Sequence, residues 1–286
     1  MRTAAIDTGF AVAERLERIG LGPVTQRVRR LAARVGADAH EVEVDGLVVG
    51  GSLAEHGSYL RSLSGPVSRS YELELFRGAV RPGMTVLDCG AHLGLQTLLA
   101  ARAVGAEGTV IAVEAAPPTA AALRRNVAAN GFEDRVEVVE SAAVAEPGPV
   151  RLHLHPWLDR TGVADAASAA ERTVEVDGVR LDDVLGERRV DVVKVDVEGA
   201  EVGAIAGLAR GLARSAGATA FLECHPERQL ALGEDPIGWL EGLAREHPLE
   251  LIDEGIRSLV PLAGREAIEH AVAEHGENFN LRWVLG

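Results

Sequence analysis

Several features that would define a whole class of proteins are missing from this chain of 286 residues. It has no apolar run of the roughly 18 residues that a membrane-spanning helix needs, so no such helix is expected. Residues 1–10 lack the basic and then apolar pattern of a secretory signal, so we expect a cytoplasmic protein. A Gly-x-Ser-x-Gly elbow, a P-loop and a Cys-x-x-Cys pair are also absent, so the chemistries that these motifs serve are not indicated.

Cysteine and lysine are scarce. The two cysteines, Cys89 and Cys224, each end a predicted β-strand. If these are the first and fifth strands of the usual doubly wound order, the fourth lies between them and no disulfide can form. We therefore expect two reduced, buried thiols. The chain has a single lysine, Lys194, which alternates with the apolar residues of a predicted strand and is either ion-paired or part of a site.

Acidic residues outnumber basic ones by 43 to 29, which gives a formal net charge of −14. Nucleic acids and anionic membrane surfaces are polyanions, so neither is expected as a partner. The hydrophobic content of 47% is ample for one large α/β domain with an appendage.

The first 70 residues form a distinct segment. Residues 7–35 have a helical apolar pattern, residues 41–49 alternate around the turn signal Asp45-Gly46, and residues 50–70 are rich in glycine and serine. The pattern predicts a helical stretch, a β-hairpin and a loop. We interpret residues 1–70 as an extension that caps the acceptor site of the core or mediates assembly into a homo-oligomer.

From residue 71 onward, predicted strands and helices alternate. This alternation favours a doubly wound, mostly parallel seven-stranded sheet with helices on both faces. Residues 71–286 are therefore predicted to form one domain, with helices that include 93–104, 198–213 and 236–246, and an antiparallel excursion at Val150–His155 and Thr173–Val176. The seven predicted strands are Thr85–Cys89, Thr109–Glu114, Val136–Glu140, Asp191–Val195, Ala218–Glu223, Leu249–Asp253 and Asn280–Leu285.

A glycine-rich turn follows the first of these strands. Asp88 ends an apolar run, Gly90 and Gly94 follow, and a helical pattern then begins. Such a turn lets a ligand approach the backbone at a helix N-terminus. Glu114 ends the second strand 24 residues after Gly90, a distance that suits an acidic residue bound to the hydroxyls of a ribose. Together these features predict a cofactor that contains a nucleoside.

Three blocks of sequence resemble a known family. They are Pro82-Gly-Met-Thr-Val-Leu-Asp-Cys-Gly-Ala-His-Leu-Gly94, Val193-Lys-Val-Asp-Val-Glu-Gly-Ala-Glu201 and Leu222-Glu-Cys-His-Pro226. In this order they resemble the FkbM family of S-adenosylmethionine-dependent methyltransferases, over roughly residues 71–286. One departure is His92, where the family usually carries asparagine.

The resemblance implies a Rossmann-like class I methyltransferase fold and S-adenosylmethionine as the cofactor. On this basis Glu114 accepts hydrogen bonds from the ribose, residues 140–142 border the adenine, and the glycine turn approaches the methionine and ribose portion. Asp88 orients the turn or receives the ammonium group, and Glu72 reaches the methionine end. The implied cofactor-binding residues are Glu72, Asp88, Gly90, His92, Gly94, Glu114, Ser141 and Ala142.

Three further titratable residues are expected to converge on the crevice beyond the strand ends. Asp196 and Glu223 end the fourth and fifth strands, and His225 follows in the next loop. Transfer to a hydroxyl needs a base near the methyl group, and Asp196 or His225 is the candidate. The alternative is a divalent metal ion held by Asp196, Glu223 and His225, which would acidify the hydroxyl. Glu198 is expected only to cap a helix.

These observations predict an O-methyltransferase for a hydroxyl of a small, polyhydroxylated acceptor. The resemblance points to sugars and natural-product scaffolds such as polyketides. Trp157, Asp159 and Thr161-Gly162 are candidates for the acceptor pocket. Two alternatives stay open: an NAD-dependent oxidoreductase, which shares the glycine turn and the ribose-binding acid, and a binding module on the same fold that has no catalytic activity.

Overall fold

The computed structural model describes residues 39–63, 65, 67–154, 161–163 and 173–286. The apolar runs of the sequence become buried strands. The described strands are β1 (Ala39–Val44), β2 (Leu47–Ser52), β3 (Thr85–Cys89), β4 (Thr109–Glu114), β5 (Val136–Glu140), β6 (Ala142–Ala143), β7 (Gly148–His153), β8 (Gly162–Val163), β9 (Thr173–Val179), β10 (Val192–Val195), β11 (Thr219–Cys224), β12 (Glu250–Asp253), β13 (Ser258–Pro261) and β14 (Phe279–Val284).

The helices of the described residues connect these strands, and none of them is long and apolar enough to cross a membrane. The predicted helix over 198–213 is divided in two, because the chain turns at Gly207. The helices are α1 (Leu53–Leu63), α2 (Tyr71–Ala79), α3 (Leu95–Val104), α4 (Pro117–Ala129), α5 (Leu181–Leu185), α6 (Glu201–Ala206), α7 (Ala209–Arg214), α8 (Pro226–Ala231), α9 (Pro236–Glu246) and α10 (Arg265–Glu274).

The central sheet has eight strands in the order β13-β12-β14-β11-β10-β3-β4-β5. Its five strands from β11 to β5 are parallel, whereas β14 and β13 are antiparallel to their neighbours. The prediction of a doubly wound, mostly parallel sheet is confirmed. The sheet has one strand more than predicted, because β13 folds back on β12 as an edge hairpin.

Alternate residues of the central strands face opposite layers of helices. Val86, Val110 and Val192 pack with apolar residues of α2 and α3. Their neighbours Leu87, Ile111 and Val193 pack on the other face with residues of α5, α6 and α9. A parallel sheet covered on both sides needs such nearly continuous apolar strands, and the polar exceptions Asp88 and Lys194 lie side by side toward the carboxyl ends of β3 and β10.

Both cysteines are buried and free, as predicted. Cys89 lies in β3 and Cys224 in β11, with β10 between them.

The predicted hairpin at Asp45-Gly46 is confirmed, with positive φ angles of 52° and 77° at the two turn residues. Such a turn matches the twist of the two strands. The second strand, β2, docks on α4 through two amide side chains. Asn126 accepts a hydrogen bond from the Gly50 amide and donates one to the Gly50 carbonyl, and Asn130 makes the same pair of bonds with Val48.

The prediction of a loop over residues 50–70 is wrong for much of its length, because Leu53–Leu63 is the helix α1. Its buried residues Leu60 and Leu63 pack against the hairpin and α3. The predicted helical stretch at residues 7–35 lies outside the described residues. The division into residues 1–70 and 71–286 therefore stays a prediction.

The antiparallel excursion forms a separate four-stranded sheet, with the order β6-β9-β7-β8. It packs on the turn after β4, where Leu152 and Leu154 contact Ala116. This sheet places Thr161 and Gly162 beside the carboxyl ends of the central strands.

Candidate active site

The glycine turn after β3 closes against the end of a neighbouring strand. Gly90 has a φ angle of 83°, and a Cβ atom added there would lie 1.6 Å from the carbonyl oxygen of Asp196. The Asp196 amide also donates a hydrogen bond to the carbonyl of Cys89. Glycine at position 90 is therefore required for the ends of β3 and β10 to meet, in addition to any approach of a ligand. Gly94 begins α3 with a φ angle of 93° and packs on Leu123.

The carboxyl ends of β3, β4, β10 and β11 open into a cavity of about 730 Å³. Thr161 and Gly162, two of the residues predicted for the acceptor pocket, also line it, whereas Trp157 and Asp159 lie outside the described residues. Three predicted site residues, Asp88, Gly94 and His225, are absent from its wall. The predicted site residues that line the cavity are Glu72, Gly90, His92, Glu114, Ser141, Ala142, Asp196 and Glu223.

Glu114 is held rigidly at the cavity wall. One carboxylate oxygen accepts a hydrogen bond of 2.9 Å from the amide of His92, and the other accepts one of 2.8 Å from the amide of Ala116. Burial raises the pKa of Glu114 to about 7, although these two bonds favour the charged form. Each oxygen can still accept a second hydrogen bond from a ligand.

His92 occupies a backbone conformation that suits the family's usual asparagine. Its φ angle is 51°, in the left-handed region, where asparagine and histidine are among the more tolerated residues. Its ring packs edge-on against Tyr59 of α1, with 4.3 Å between the ring centroids. Tyr59 also lines the cavity, so the N-terminal segment contributes directly to the site. The sequence did not identify Tyr59, because residues 50–70 were predicted to form a loop, whereas Leu53–Leu63 is a helix.

Asp88 is buried behind the residues that line the cavity and does not line it itself. Its side chain accepts a hydrogen bond of 2.5 Å from the Thr97 hydroxyl, and it lies opposite Lys194 in the register of β3 and β10. Burial raises its pKa, against the charge of Lys194 and the bond from Thr97. This position suits the predicted orientation of the turn and leaves direct contact with a ligand to other residues.

Lys194 is buried among carboxylates. Its Nζ atom lies 3.0 Å from Oδ2 of Asp196. Burial lowers the pKa of Lys194, but the charges of Asp196, Glu72 and Glu223 outweigh burial, so the pKa lies above its usual value. For Asp196, burial raises the pKa, but Lys194 and His225 together hold it below its usual value. This carboxylate therefore stays charged, and its Oδ1 atom is buried without a hydrogen-bond partner among the described residues.

His225 lies behind the cavity wall, where it joins three acidic side chains. Its Nδ1 atom is 2.9 Å from Oε1 of Glu201, and its Nε2 atom is 3.3 Å from Oε2 of Glu198 and 3.7 Å from Oε1 of Glu223. Sequence reasoning missed Glu201 as a partner of His225. Glu198 lines the cavity and pairs with Arg228, so it does more than cap a helix.

The pKa values of this cluster are shifted toward or beyond neutrality. Burial and the charge of Asp196 raise the pKa of Glu223 to about 8 and that of Glu198 to about 7. Burial lowers the pKa of His225, but its hydrogen bond to Glu201 and the surrounding carboxylates raise it to about 9. His225 is therefore an imidazolium at neutral pH, while Glu223 exchanges its proton near neutrality.

A profile of the FkbM methyltransferase domain matches residues 88–245, which is more than half of the chain.

The chain belongs to the FkbM methyltransferase family.

The relatives of this FkbM protein are distant. It is 30% identical over 145 residues to Methyltransferase 1 of Beauveria bassiana, a match that covers 43% of this chain and 57% of the relative. It is 45% identical over 56 residues to an arsenite methyltransferase of Halobacterium salinarum, which covers 20% of this chain and 14% of the relative. The chain thus spans little more than half the length of the first relative.

Solved structures of methyltransferases match this chain at low sequence identity and with TM-scores below 0.5. An O-methyltransferase from Bacillus cereus in complex with SAH is 16% identical, with a TM-score of 0.43 and coverage of 98% of this chain and 99% of that chain. The O-methyltransferase TomG from Streptomyces achromogenes, in complex with SAM, is 16% identical, with a TM-score of 0.42 and coverage of 75% and 78%.

The cavity of this FkbM protein offers groups that S-adenosylmethionine would satisfy. Oε1 of Glu72 is buried without a hydrogen-bond partner among the described residues, which suits a cationic donor at the methionine end. Glu114 has free acceptor capacity for two ribose hydroxyls. The walls are rich in carboxylates, and the cofactor carries a positive sulfonium. The residues present therefore fit this cofactor.

The same residues do not fit a resident divalent metal ion. Ligand atoms of Asp196, Glu198 and His225 lie within 4.8 Å of one another, close enough to share an ion. However, Arg228 already pairs with Glu198, and Lys194 pairs with Asp196. These two cations neutralise the carboxylates and repel a dication, so the chemistry of the site is derived without one.

Proposed function

We propose that this protein is an S-adenosylmethionine-dependent O-methyltransferase, acting on a hydroxyl group of a small, polyhydroxylated acceptor such as a sugar or a natural-product scaffold. One observation carries the proposal. A single cavity has a buried, doubly anchored Glu114 in one wall and the acidic pair Asp196 and Glu223 in another. The first suits a ribose, and the second suits a hydroxyl that must lose its proton.

The cofactor would lie across the ends of β3 and β4. Glu114 would accept hydrogen bonds from the ribose, Ser141 and Ala142 would border the adenine, and Glu72 would receive the ammonium at the methionine end. S-adenosylmethionine supplies a methyl group on a positively charged sulfur. Tyr59 and His92 form an aromatic wall beside the same end of the cavity.

The acceptor hydroxyl would be held by carboxylates. Asp196 is a charged carboxylate in the cavity wall, so it can accept a hydrogen bond from the hydroxyl and aim the oxygen at the methyl group. As the new carbon–oxygen bond forms and the carbon–sulfur bond breaks, the hydroxyl proton passes to Glu223. A base works best with a pKa near the operating pH, and among the predicted catalytic residues Glu223 meets that condition.

The other two candidates have different roles in this proposal. Asp196 is a poorer base, because Lys194 holds its pKa below the usual range. His225 is buried behind the wall, so it acts on the wall carboxylates rather than on the acceptor. Neither residue is expected to take the proton directly.

The test is methyl transfer from isotopically labelled S-adenosylmethionine to a pool of sugars, polyketides and other hydroxylated metabolites, followed by mass spectrometry. We expect one class of hydroxylated compound to gain the label. The variants Asp196→Asn and Glu223→Gln should retain binding of S-adenosylhomocysteine and lose transfer by about 100-fold or more. A protein that labels no hydroxylated compound, or variants that act like wild type, would refute the proposal.

Two controls separate the alternatives. Calorimetry should detect binding of S-adenosylhomocysteine and no binding of NAD. An NAD-dependent oxidoreductase would show the reverse. A chelator such as EDTA should leave transfer unchanged, because the proposed chemistry uses no metal ion. Loss of transfer with EDTA and its recovery with magnesium would restore the metal alternative.

A further inference from the structure

Glu201 is a buried carboxylate that the proposed reaction does not use. It is fully buried at the first residue of α6. Its Oε1 atom lies 2.9 Å from Nδ1 of His225 and accepts a hydrogen bond of 2.8 Å from the Gly199 amide. Its Oε2 atom accepts a hydrogen bond of 2.7 Å from the side chain of Gln229. A buried carboxylate with three partners joins the turn before α6 to the loop after β11.

These contacts determine where His225 carries its proton. A carboxylate only accepts hydrogen bonds, so the Nδ1 atom that faces Glu201 must be the protonated nitrogen of a neutral ring. The Nε2 atom then faces Glu198 and Glu223 in the cavity wall. The protonation of Nε2 is therefore the one that changes with pH.

The same carboxylate also stabilises a strained turn. Glu198 has a φ angle of 54°, a conformation that residues with a side chain rarely adopt. The Gly199 amide that follows it is held by Glu201. Strain of this kind persists only where the surrounding contacts impose it, and it is common at functional sites.

We propose that Glu201 is a positioning residue: it fixes the proton of His225 on Nδ1 and turns Nε2 toward the carboxyl groups of Glu198 and Glu223. The role in catalysis rests on the proposed function, in which Glu223 receives the proton of the acceptor. The oriented ring places a hydrogen-bond donor behind that carboxyl group.

The charges around His225 set the direction of the effect. Glu201, Asp196 and Glu198 favour its charged form, and Oε1 of Glu223 lies 3.7 Å from its Nε2 atom. Arg228 pairs with Glu198, and Lys194 pairs with Asp196, so each compensates its own partner. Loss of the Glu201 charge would make His225 easier to deprotonate. With less positive charge behind it, Glu223 would then hold its proton to higher pH.

The decisive variant exchanges two neighbouring groups, Glu201→Gln with Gln229→Glu. It keeps one carboxylate and one amide in the same buried cluster, so the number of hydrogen-bonding groups and the net charge are unchanged. It moves the carboxylate away from Nδ1 of His225. The single variant Glu201→Gln and the variant Glu201→Asp, which restores a shorter carboxylate, complete the series.

The first measurement is nitrogen-detected NMR of the histidine side chains in the ligand-free protein, with His225→Asn to assign the signal. In wild type we expect the neutral ring to carry its proton on Nδ1. In the exchange variant we expect the midpoint of the His225 titration to fall by at least about one pH unit, because the carboxylate has moved away from Nδ1. The neutral ring should keep its proton on Nδ1, because the Gly199 amide requires an oxygen at the position of Oε1, and this oxygen still faces Nδ1. A wild-type ring protonated on Nε2, or an exchange variant that titrates like wild type, would overturn the assignment.

The second measurement uses the acceptor identified by the labelled-donor experiment. We expect Glu201→Gln to lower kcat at neutral pH by about tenfold or more and to move the acidic limb of kcat/KM to higher pH. Glu201→Asp should recover part of the loss, and the affinity for S-adenosylhomocysteine should stay within about twofold of wild type. A fall in cofactor affinity equal to the fall in kcat would show a merely structural role and overturn the proposal.

The two measurements separate the two hypotheses. If wild type methylates no hydroxyl compound, the proposed function fails, and the NMR experiment still decides whether Glu201 positions His225. If wild type is active and the exchange variant matches it in kcat and pH profile, the positioning role fails while the proposed function stands.

Discussion

At the scale of single residues, the positive charge of Lys194 compensates the negative charges of the carboxylates buried around it. Asp196 lies 3.0 Å from its Nζ atom, and Glu72, Glu223 and Asp88 all raise its pKa. The sequence left open whether this lysine is paired or part of a site. The structure shows a buried pair in which the lysine is shared among several acids, so its removal should cost far more than the loss of a surface ion pair.

We therefore expect Lys194→Met to lower the free energy of unfolding by about 3–5 kcal/mol at pH 8, because buried carboxylates lose their compensating cation. The loss should be smaller at pH 5.5, where those carboxylates can bind protons instead. Chemical denaturation at both pH values tests this. The matched control is Arg265→Met, since Arg265 is exposed and contacts two carboxylates, Glu241 and Glu269. An equal loss in both variants would contradict the special role of Lys194.

The Glu114 carboxylate makes a second prediction at this scale. Glu114→Gln should weaken binding of S-adenosylhomocysteine by at least about tenfold, because charge-assisted hydrogen bonds contribute roughly 1.5–3 kcal/mol each. Glu137→Gln is the control, since Glu137 lies in β5, does not line the cavity and pairs with Arg188. Calorimetry should find the control unchanged. Equal affinities for the two variants would place the ribose elsewhere.

The position of a single site residue could be predicted from the sequence where it follows from the direction of a strand. Asp196 follows β10 and Glu223 lies near the end of β11, and these strands are parallel neighbours, so the fold alone brings the two residues to one edge of the sheet. Glu201 and Tyr59 were not predictable in this way. Glu201 contacts His225 across 24 positions, through loop conformations that no local pattern specifies. Tyr59 faces the site only because α1 packs on the hairpin.

At the scale of elements, the glycine turn after β3 packs directly against the end of β10. The carbonyl of Asp196 fills the space where a side chain at position 90 would lie. The motif therefore depends on the packing of β3 against β10 as much as on the shape of a ligand. The sequence indicates that the glycine turn serves ligand binding, and the structure shows that it also allows the ends of two strands to meet.

Gly90→Ala should prevent folding or lower the free energy of unfolding by more than about 4 kcal/mol, because a methyl group would overlap a backbone oxygen that cannot move without the strand. Gly131→Ala is the matched control. Gly131 also has a positive φ angle, of 69°, but a Cβ atom there meets nothing within 4 Å. It should lose only about 1–2 kcal/mol from its conformation. Chemical denaturation of both variants that gave equal losses would show that the close approach has no effect.

Elements with continuous apolar runs were predicted most accurately. The strands Thr85–Cys89, Thr109–Glu114 and Val136–Glu140 match the prediction at both ends. The helix Leu53–Leu63 was missed, because its glycine and serine content lowers helix propensity and its tertiary contacts compensate. The edge strand Ser258–Pro261 was also missed, because it is short and only partly buried.

At the scale of the whole molecule, the cavity in which the function is proposed shares the acidic excess of the chain. The net charge of −14 is matched by a cavity whose walls carry Glu72, Glu114, Asp196, Glu198 and Glu223. Several of these carboxyls have raised pKa values because burial and mutual repulsion disfavour their charged forms. The ligand-free protein therefore holds protons where a cationic ligand would otherwise provide the compensating charge.

This excess of acid predicts how stability depends on pH. Glu114 and Glu198, with pKa values of about 7, and Glu223, with a pKa of about 8, bind more protons folded than unfolded, where the usual value is 4.5. His225, with a pKa of about 9 against the usual 6.5, does the same. Each group therefore favours the folded state at low pH and loses that contribution as the pH rises through its folded value. We expect the melting temperature of the ligand-free protein to fall between about pH 6 and about pH 9.

Binding of S-adenosylmethionine should offset part of the loss of stability at high pH. As the carboxyls ionise, the cavity becomes more negative and attracts the positively charged sulfonium of S-adenosylmethionine more strongly, whereas S-adenosylhomocysteine has no such charge. The ratio of the Kd of S-adenosylhomocysteine to that of S-adenosylmethionine should therefore rise severalfold between about pH 6 and about pH 9, as measured by calorimetry. Glu223→Gln should flatten the rise, because its side chain no longer ionises. A ratio that stays constant with pH in wild type would mean that these carboxyls do not face the sulfonium.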